Sequence, residues 1–341
     1  MSLTLRRKAT TLAIAAVGAA AALAAGLPLP LLLGPLLACL LAALLGAQLG
    51  GTPVASATLR TVLGVAVGAS ITPALLHRAI DYGPAIALVI LLTAAIAALG
   101  IPWFRSKGFD RPTAFYAAMP GGLQDMLLFG MEAGANPRAL SLAHATRLTV
   151  VVTTLPFLMT FVLGMPLDQP PGQPVAEFEL SELFLLTACA LGGWQLGRWL
   201  RLPGASILGP MLLTAVLSLL GFIHQRPPSE AILAAQFFIG VGVGVHYVGI
   251  TAHELRHVVV TSLGFCVVAA ALTAVTLFLA LHWGVAVMPD ALLAFSPGGQ
   301  AEMTVLAIVA GAELSFVVTL HLSRIVLVIL GAPLLHRWLY K

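Results

Sequence analysis

The sequence predicts an all-α, polytopic membrane protein built from two tandem, inverted-topology repeats, each with five spanning helices and one Gly/Pro-interrupted segment. Three observations predict it. Of the 341 residues, 60% are hydrophobic and only 9% are charged, with a mean hydropathy of +1.02, whereas soluble domains carry about 25% charged residues. Apolar runs recur along the whole chain, each close to the roughly 17–25 residues that a helix needs to cross a bilayer. Finally, the chain repeats itself: "PGGLQDM" at Pro120–Met126 returns as "PGGQAEM" at Pro297–Met303.

The first apolar run, residues 9–25, follows a basic flank and is rich in small residues, which gives it the look of a signal peptide. Its counterpart by the repeat is the internal run near 182–200, so it is expected to remain as a first helix. Further spans are expected at 29–50, 58–75, 83–104 and 139–164, then at 183–200, 204–222, 231–250, 258–283 and 314–335. The halves match in detail. "LPLPLLLGPLLACLLAALLG" (27–46) pairs with "LPGASILGPMLLTAVLSLLG" (202–221), and "GVAVG" (64–68) with "GVGVG" (240–244). The offset drifts from 175 (Leu27 to Leu202) to 177 (Pro120 to Pro297), and at 177 His144, Arg147 and Pro156 pair with His321, Arg324 and Pro333. The domains are therefore a first repeat, 1–165, a Pro-rich linker, 166–181, and a second repeat, 182–341.

Whether the interrupted segments cross or dip and return decides the topology, because five crossings per half invert the second copy and six do not. The positive-inside rule arbitrates. With Arg147 and Arg324 set aside as intrahelical, dipping segments place thirteen Lys and Arg on the cytoplasmic side and two, Arg78 and Arg226, outside. Full crossing gives ten against five. The inverted arrangement is favoured, with both termini cytoplasmic and the linker, which has no Lys or Arg, on the outer face of an inner membrane.

A Pro-Gly-Gly break at membrane depth frees backbone groups that cost several kcal/mol if left unpaired, so it survives only inside protein or beside a watery cavity. Asp125 and Glu302 stand three residues past Gly122 and Gly299, in the first turn of a following half-helix, where a carboxylate either caps free amides or binds an ion or proton. In "HATR" (144–147) and "HLSR" (321–324), His and Arg are three apart and share a helix face. Arg147 and Arg324 are always charged and need a partner, either those carboxylates or an anionic solute. His144 and His321 are candidate proton relays or packing histidines. Gln124 and Gln300 add polar groups near the breaks. The candidate solute and ion site is therefore Gly121, Gly122, Gln124, Asp125, His144, Arg147, Gly298, Gly299, Gln300, Glu302, His321 and Arg324. The spaced glycines Gly64, Gly68, Gly240, Gly242 and Gly244 read as faces for close helix packing.

Other chemistry is weaker. "HELRH" (253–257) fits the zinc-protease pattern His-Glu-x-x-His, with Asp290 as a conceivable third ligand. Its first-half counterpart, "HRAID" (77–81), keeps only His77, so a solvated connector is expected. Cys39, Cys189 and Cys266 lie singly in apolar runs and support neither disulfides nor a zinc ribbon. The net charge of +4 comes from Lys and Arg scattered over short connections, which encodes topology and not a nucleic-acid face. No metal, cofactor or enzymatic activity is expected. The expected partners are the lipid bilayer, a small solute or ion and, left open, a second copy of the chain.

The paired "PGG" phrases, the paired His-x-Thr/Ser-Arg phrases and the two "LGP" phrases resemble the bacterial AbrB-like membrane family, built from a duplicated AbrB domain, over nearly the whole chain. That family carries the inherited labels regulator of gene expression and ammonia monooxygenase, and neither follows from these residues. More distantly it is similar to the cation/proton antiporters and anion transporters, in which inverted halves cross broken helices at the midplane. The resemblance implies a transport site around Gly121, Gly122, Asp125, Gly298, Gly299 and Glu302. The expected function is inner-membrane secondary transport of a small solute, an organic anion being favoured, coupled to protons or ions. The alternative is a membrane-embedded regulator or sensor that binds a ligand without moving it.

Overall fold

The computed structural model describes residues 3–73, 79–202 and 204–339. His77, Arg78, Lys341 and the last positions of the run expected at 58–75 lie outside the described residues. In chain order the helices are α1 (Leu3–Ala24), α2 (Pro30–Leu44), α3 (Pro53–Gly68), α4 (Gly83–Ser106), α5 (Arg111–Ala118), α6 (Leu123–Glu132) and α7 (Pro137–Phe157), then α8 (Leu180–Trp199), α9 (Ala205–Leu219), α10 (Ser229–Gly244), α11 (Val260–His282), α12 (Asp290–Phe295), α13 (Gln300–Val309) and α14 (Leu314–Leu339). No strand forms among the described residues. The two interrupted segments appear as α5–α6 and α12–α13, each broken at its Pro-Gly-Gly.

Among the described residues, six helical stretches are long and apolar enough to cross a membrane: Leu3–Ala24, Gly83–Ser106, Pro137–Val162, Ser229–Tyr247, Ala252–His282 and Leu314–Leu339. The runs expected to span at 29–50, 58–75 and 204–222 form shorter apolar helices, α2, α3 and α9, and the run expected at 183–200 forms α8, 20 residues long but made less apolar by Glu182, Gln195 and Arg198, which is not among the six. Punctuation explains the short helices. Pro30 and Pro53 open α2 and α3 at their first turns, and α2 and α9, of 15 residues each, reach about 22 Å against a hydrocarbon core of about 30 Å.

The chain divides into two compact units, and each draws on both halves of the sequence. The first comprises Met1–Ile80, Thr153–Gly249 and Ala301–Ser315. Its helices meet backbone to backbone at glycines, which lets small-residue faces replace a hydrophobic driving force that lipid does not supply. A Cβ on Gly64 would strike the Ile207 carbonyl, and one on Gly240 would strike the Leu32 carbonyl. Thus each "GVxVG" face packs on the Leu-Gly-Pro helix of the other half, α3 on α9 and α10 on α2. The α1–α2 contact at Gly18 and Gly34 is likewise repeated as α8–α9 at Gly193 and Gly209. The contacts are duplicated at the same offset as the letters.

The second unit comprises Asp81–Val152, Ile250–Gln300 and Phe316–Lys341. Here α4 packs on α11: Trp103 Nε1 donates to the Thr261 carbonyl at 3.1 Å, and Phe104 meets Phe265 edge-on with ring centroids 5.2 Å apart. The segment α5–α6 is a hairpin. Asp110 caps α5 by accepting from Thr113 N at 2.9 Å, and Thr113 Oγ1 accepts from Asn136 N at 2.8 Å, which ties the exit of the segment to its entrance. Within the hairpin a Cβ on Gly130 would lie 3.6 Å from Tyr116 Cβ. Gly134 ends α6 at φ 82° and its repeat partner Gly311 follows α13 at φ 65°, a left-handed turn that glycine adopts without steric cost.

Candidate functional site

Proline halts α5 and α12, and the carbonyls around each halt lose their helical donors. A helix from the same half supplies replacements. From α7, Arg147 Nη1 donates to Met119 O at 3.0 Å, Nη2 to Gly121 O at 2.8 Å, and the His144 ring places Nε2 3.1 Å from Tyr116 O. From α14, Arg324 Nη1 donates to Ser296 O at 2.9 Å, Nη2 to Gly298 O at 2.8 Å, and His321 Nε2 lies 3.0 Å from Leu293 O. All these residues belong to the second unit. The planar fork of arginine suits this task, because its two terminal nitrogens reach two carbonyls two residues apart along an unwound turn. Each charge-assisted bond is worth about 1.5–3 kcal/mol.

Sequence reasoning offered Arg147 and Arg324 a carboxylate or an anion as partner. The structure gives them the carbonyls of the breaks, and neither forms an ion pair with a carboxylate of its own unit among the described residues. Arg147 and Arg324 are 7% and 6% exposed, and their helices meet at the first break, where Val328, one turn past Arg324, lies against the Gly121 whose carbonyl Arg147 holds. On each arginine, the Nε nitrogen is buried without a hydrogen-bond partner. A buried positive pair with unspent donors can hold an anion.

The remaining candidates are placed as follows. Gly121 is buried against Met126 and Val328, and Gly122 is the N-cap of α6. Asp125, half-buried in the first turn of α6, folds back so that its Oδ2 lies 2.6 Å from where a Gly122 Cβ would stand. Gln124 is exposed. Gly298 is buried and Gly299 half-buried; Gln300 opens α13 with its Nε2 buried and unpaired. Glu302 is 4% exposed and belongs to the first unit, whereas Asp125 belongs to the second. Sequence reasoning missed the carbonyls of Tyr116, Met119, Leu293 and Ser296 and the Thr113–Asn136 clasp. A carbonyl has no letter of its own, and the one available signal was that a break must expose some.

The "HELRH" stretch is occupied with structure. Glu254 closes a capping box with Thr251 and pairs with Arg138 at 2.9 Å, while the His257 ring stacks on Phe109 and its Nε2 lies 2.8 Å from Lys107 O. No group of three His, Cys, Asp or Glu able to hold a metal occurs among the described residues.

Together, the long apolar helices and the breaks with buried charge define an α-helical membrane protein. The family model described as "Transition state regulatory protein AbrB" matches residues 31–340, and the chain belongs to the AbrB family. Among its relatives is a Bacillus subtilis (strain 168) protein named "Uncharacterized protein YhjN". It is 26% identical over 296 residues, covering 82% of this chain and 77% of that protein. Another is an Escherichia coli (strain K12) protein named "Putative regulator AbrB", 24% identical over 289 residues, covering 82% of this chain and 81% of that protein. No solved structure matches the chain significantly.

Proposed function

We propose that the protein is an inner-membrane secondary transporter of a small organic anion, coupled to protons or ions, and not an enzyme. The observation that carries this reading is the pair of unwound segments, each clamped by a buried arginine through the same bonds in both halves. Irregular backbone and buried charge are expensive in a membrane and are kept where solutes are handled. The α5–α6 hairpin, with its exit tied to its entrance through Asn136 and Thr113, supports a segment that dips and returns. Five crossings per half follow from it, and hence inverted repeats with both termini cytoplasmic and the 166–181 linker outside. In this reading Asp125 and Glu302 exchange the coupling proton or ion, Arg147 and Arg324 attract the anion, and alternating access rocks one bundle against the other.

The test is purified protein in liposomes on a solid-supported membrane, challenged with a panel of small organic anions across a pH step. Transport predicts solute-dependent current that falls at least about tenfold in Asp125→Asn or Glu302→Gln while the protein remains folded. A second reading, a membrane-embedded regulator that binds the ligand in place, is favoured by the name of the Escherichia coli relative. Ligand-dependent thermal stabilisation without current supports that reading and sinks the first.

A further inference from the structure

The two histidines of the repeat are bonded differently, and the difference specifies a ligand. A carbonyl oxygen only accepts, so His144 Nε2, facing Tyr116 O, and His321 Nε2, facing Leu293 O, each carry the ring proton. In the neutral ring Nδ1 is then a lone-pair acceptor. His321 Nδ1 uses it: Arg324 Nη2 donates to it at 2.8 Å. His144 Nδ1 is buried and has no hydrogen-bond partner among the described residues, and its side chain is 1% exposed. Charging the ring would not settle it, because a second N–H would stand beside the Arg147 guanidinium one turn along the same helix face, with like charges together. A buried acceptor without a donor costs about as much as a lost hydrogen bond, so the site lacks an incoming donor.

The same region lacks acceptors as well. Arg147 Nε, Arg324 Nε and Gln300 Nε2 are buried donors without partners, and α14 meets the first break at Val328, one turn past Arg324, which lies against the Gly121 whose carbonyl Arg147 holds. Gln300 stands two residues past Gly298, whose carbonyl Arg324 holds. The complement of this set is a molecule with negative oxygens for the N–H groups and a hydroxyl hydrogen for His144. A plain carboxylate or a halide serves only the first requirement.

We propose that the second unit binds a small oxyanion that carries its own O–H, its oxygens on Arg147 Nε and Arg324 Nε and its hydroxyl donating to His144 Nδ1. This rests on the transport reading for its purpose, but not for its test. A 2-hydroxycarboxylate and bicarbonate share this chemistry.

Calorimetric titration of the full-length protein in detergent with glycolate, bicarbonate, acetate and chloride tests it. The expected result is that glycolate or bicarbonate binds about tenfold more tightly than acetate, the value of one buried hydrogen bond, and that chloride is weaker still. A stronger response to glycolate assigns the hydroxycarboxylate, and a stronger response to bicarbonate assigns the one-carbon anion. In His144→Phe the glycolate-to-acetate ratio falls to about one, whereas in His321→Phe it persists. Because either variant could fail to fold, the wild-type protein with ¹⁵N-labelled histidine provides an independent readout: glycolate, and not acetate, shifts one buried Nδ1 resonance. Equal binding of glycolate and acetate, or a ratio untouched in His144→Phe, or an unmoved Nδ1 resonance, overturns the proposal and leaves Nδ1 to water. If none of these anions binds while another solute drives current, the ligand class is wrong and transport stands. Binding without current keeps the ligand class and ends the transport reading.

Discussion

The two interrupted segments begin from nearly the same words and end in different surroundings. Along α6 only Met126 and Gly130 are buried, and Asp125 is half-exposed. Along α13 the nine residues Ala301–Val309, Glu302 included, are all buried. The first hairpin ties its ends with Thr113 and Asn136, while the corresponding positions of the second half hold Asp290 and Glu313. The arginine clamps are nevertheless the same atom for atom. The lesson is that the backbone problem posed by Pro-Gly-Gly has one retained solution, while the side chains beyond the break have diverged.

The largest expected effect tests what the copies share. Arg147→Met and Arg324→Met each strand two break carbonyls and should each lower stability by about 3 kcal/mol, read from urea or thermal unfolding in a fixed detergent. The helices of Arg147 and Arg324 meet at the first break, and like charges there repel, so the first substitution already relieves that repulsion and the double variant should cost about 1 kcal/mol more than the sum. A double variant that costs less than the sum would mean the arginines do not face each other. Next come the glycine contacts. Gly64→Leu and Gly240→Leu each force a side chain onto an opposing carbonyl and should cost about 2 kcal/mol apiece, and unequal losses would break the equivalence of the two halves.

A smaller effect sharpens the contrast between α6 and α13. Amide hydrogen exchange in nanodiscs should be faster over 123–132 than over 300–309, because fewer apolar contacts resist opening of α6. Equal protection would mean that the difference in burial has no energetic weight. Smallest is the histidine pair. His321→Ala should cost about 1 kcal/mol more than His144→Ala, since it also strips Arg324 Nη2 of its second contact. Melting midpoints that coincide would erase the asymmetry on which the ligand argument depends.

Much of the fold was legible in the letters. Hydropathy located the helices, and the duplicated phrases located both breaks and the glycine faces, because a lipid-embedded helix must be apolar and a close crossing must be small. The spans at 29–50 and 204–222 were read too long, since apolar letters continue past the turns that Gly46 and Gly221 make at φ 88° and 77°. At the site, the residue types were legible and their partners were not. Arg147 and Arg324 were marked as charges in need of a partner, and that partner proved to be backbone, which every residue carries and no pattern distinguishes.

By itself the sequence determined that this chain lives in a membrane, that it is written twice, and that each copy is broken at one point beside a His and an Arg. These follow from composition and from periodicity, which are properties of the chain alone. Only the tertiary structure decided which carbonyls the arginines hold, that one histidine lone pair is filled and its twin left bare, and that Asp125 and Glu302 fall in different units. Those outcomes depend on angles and distances between segments far apart in the chain, where a shift of about one ångström decides whether a hydrogen bond exists.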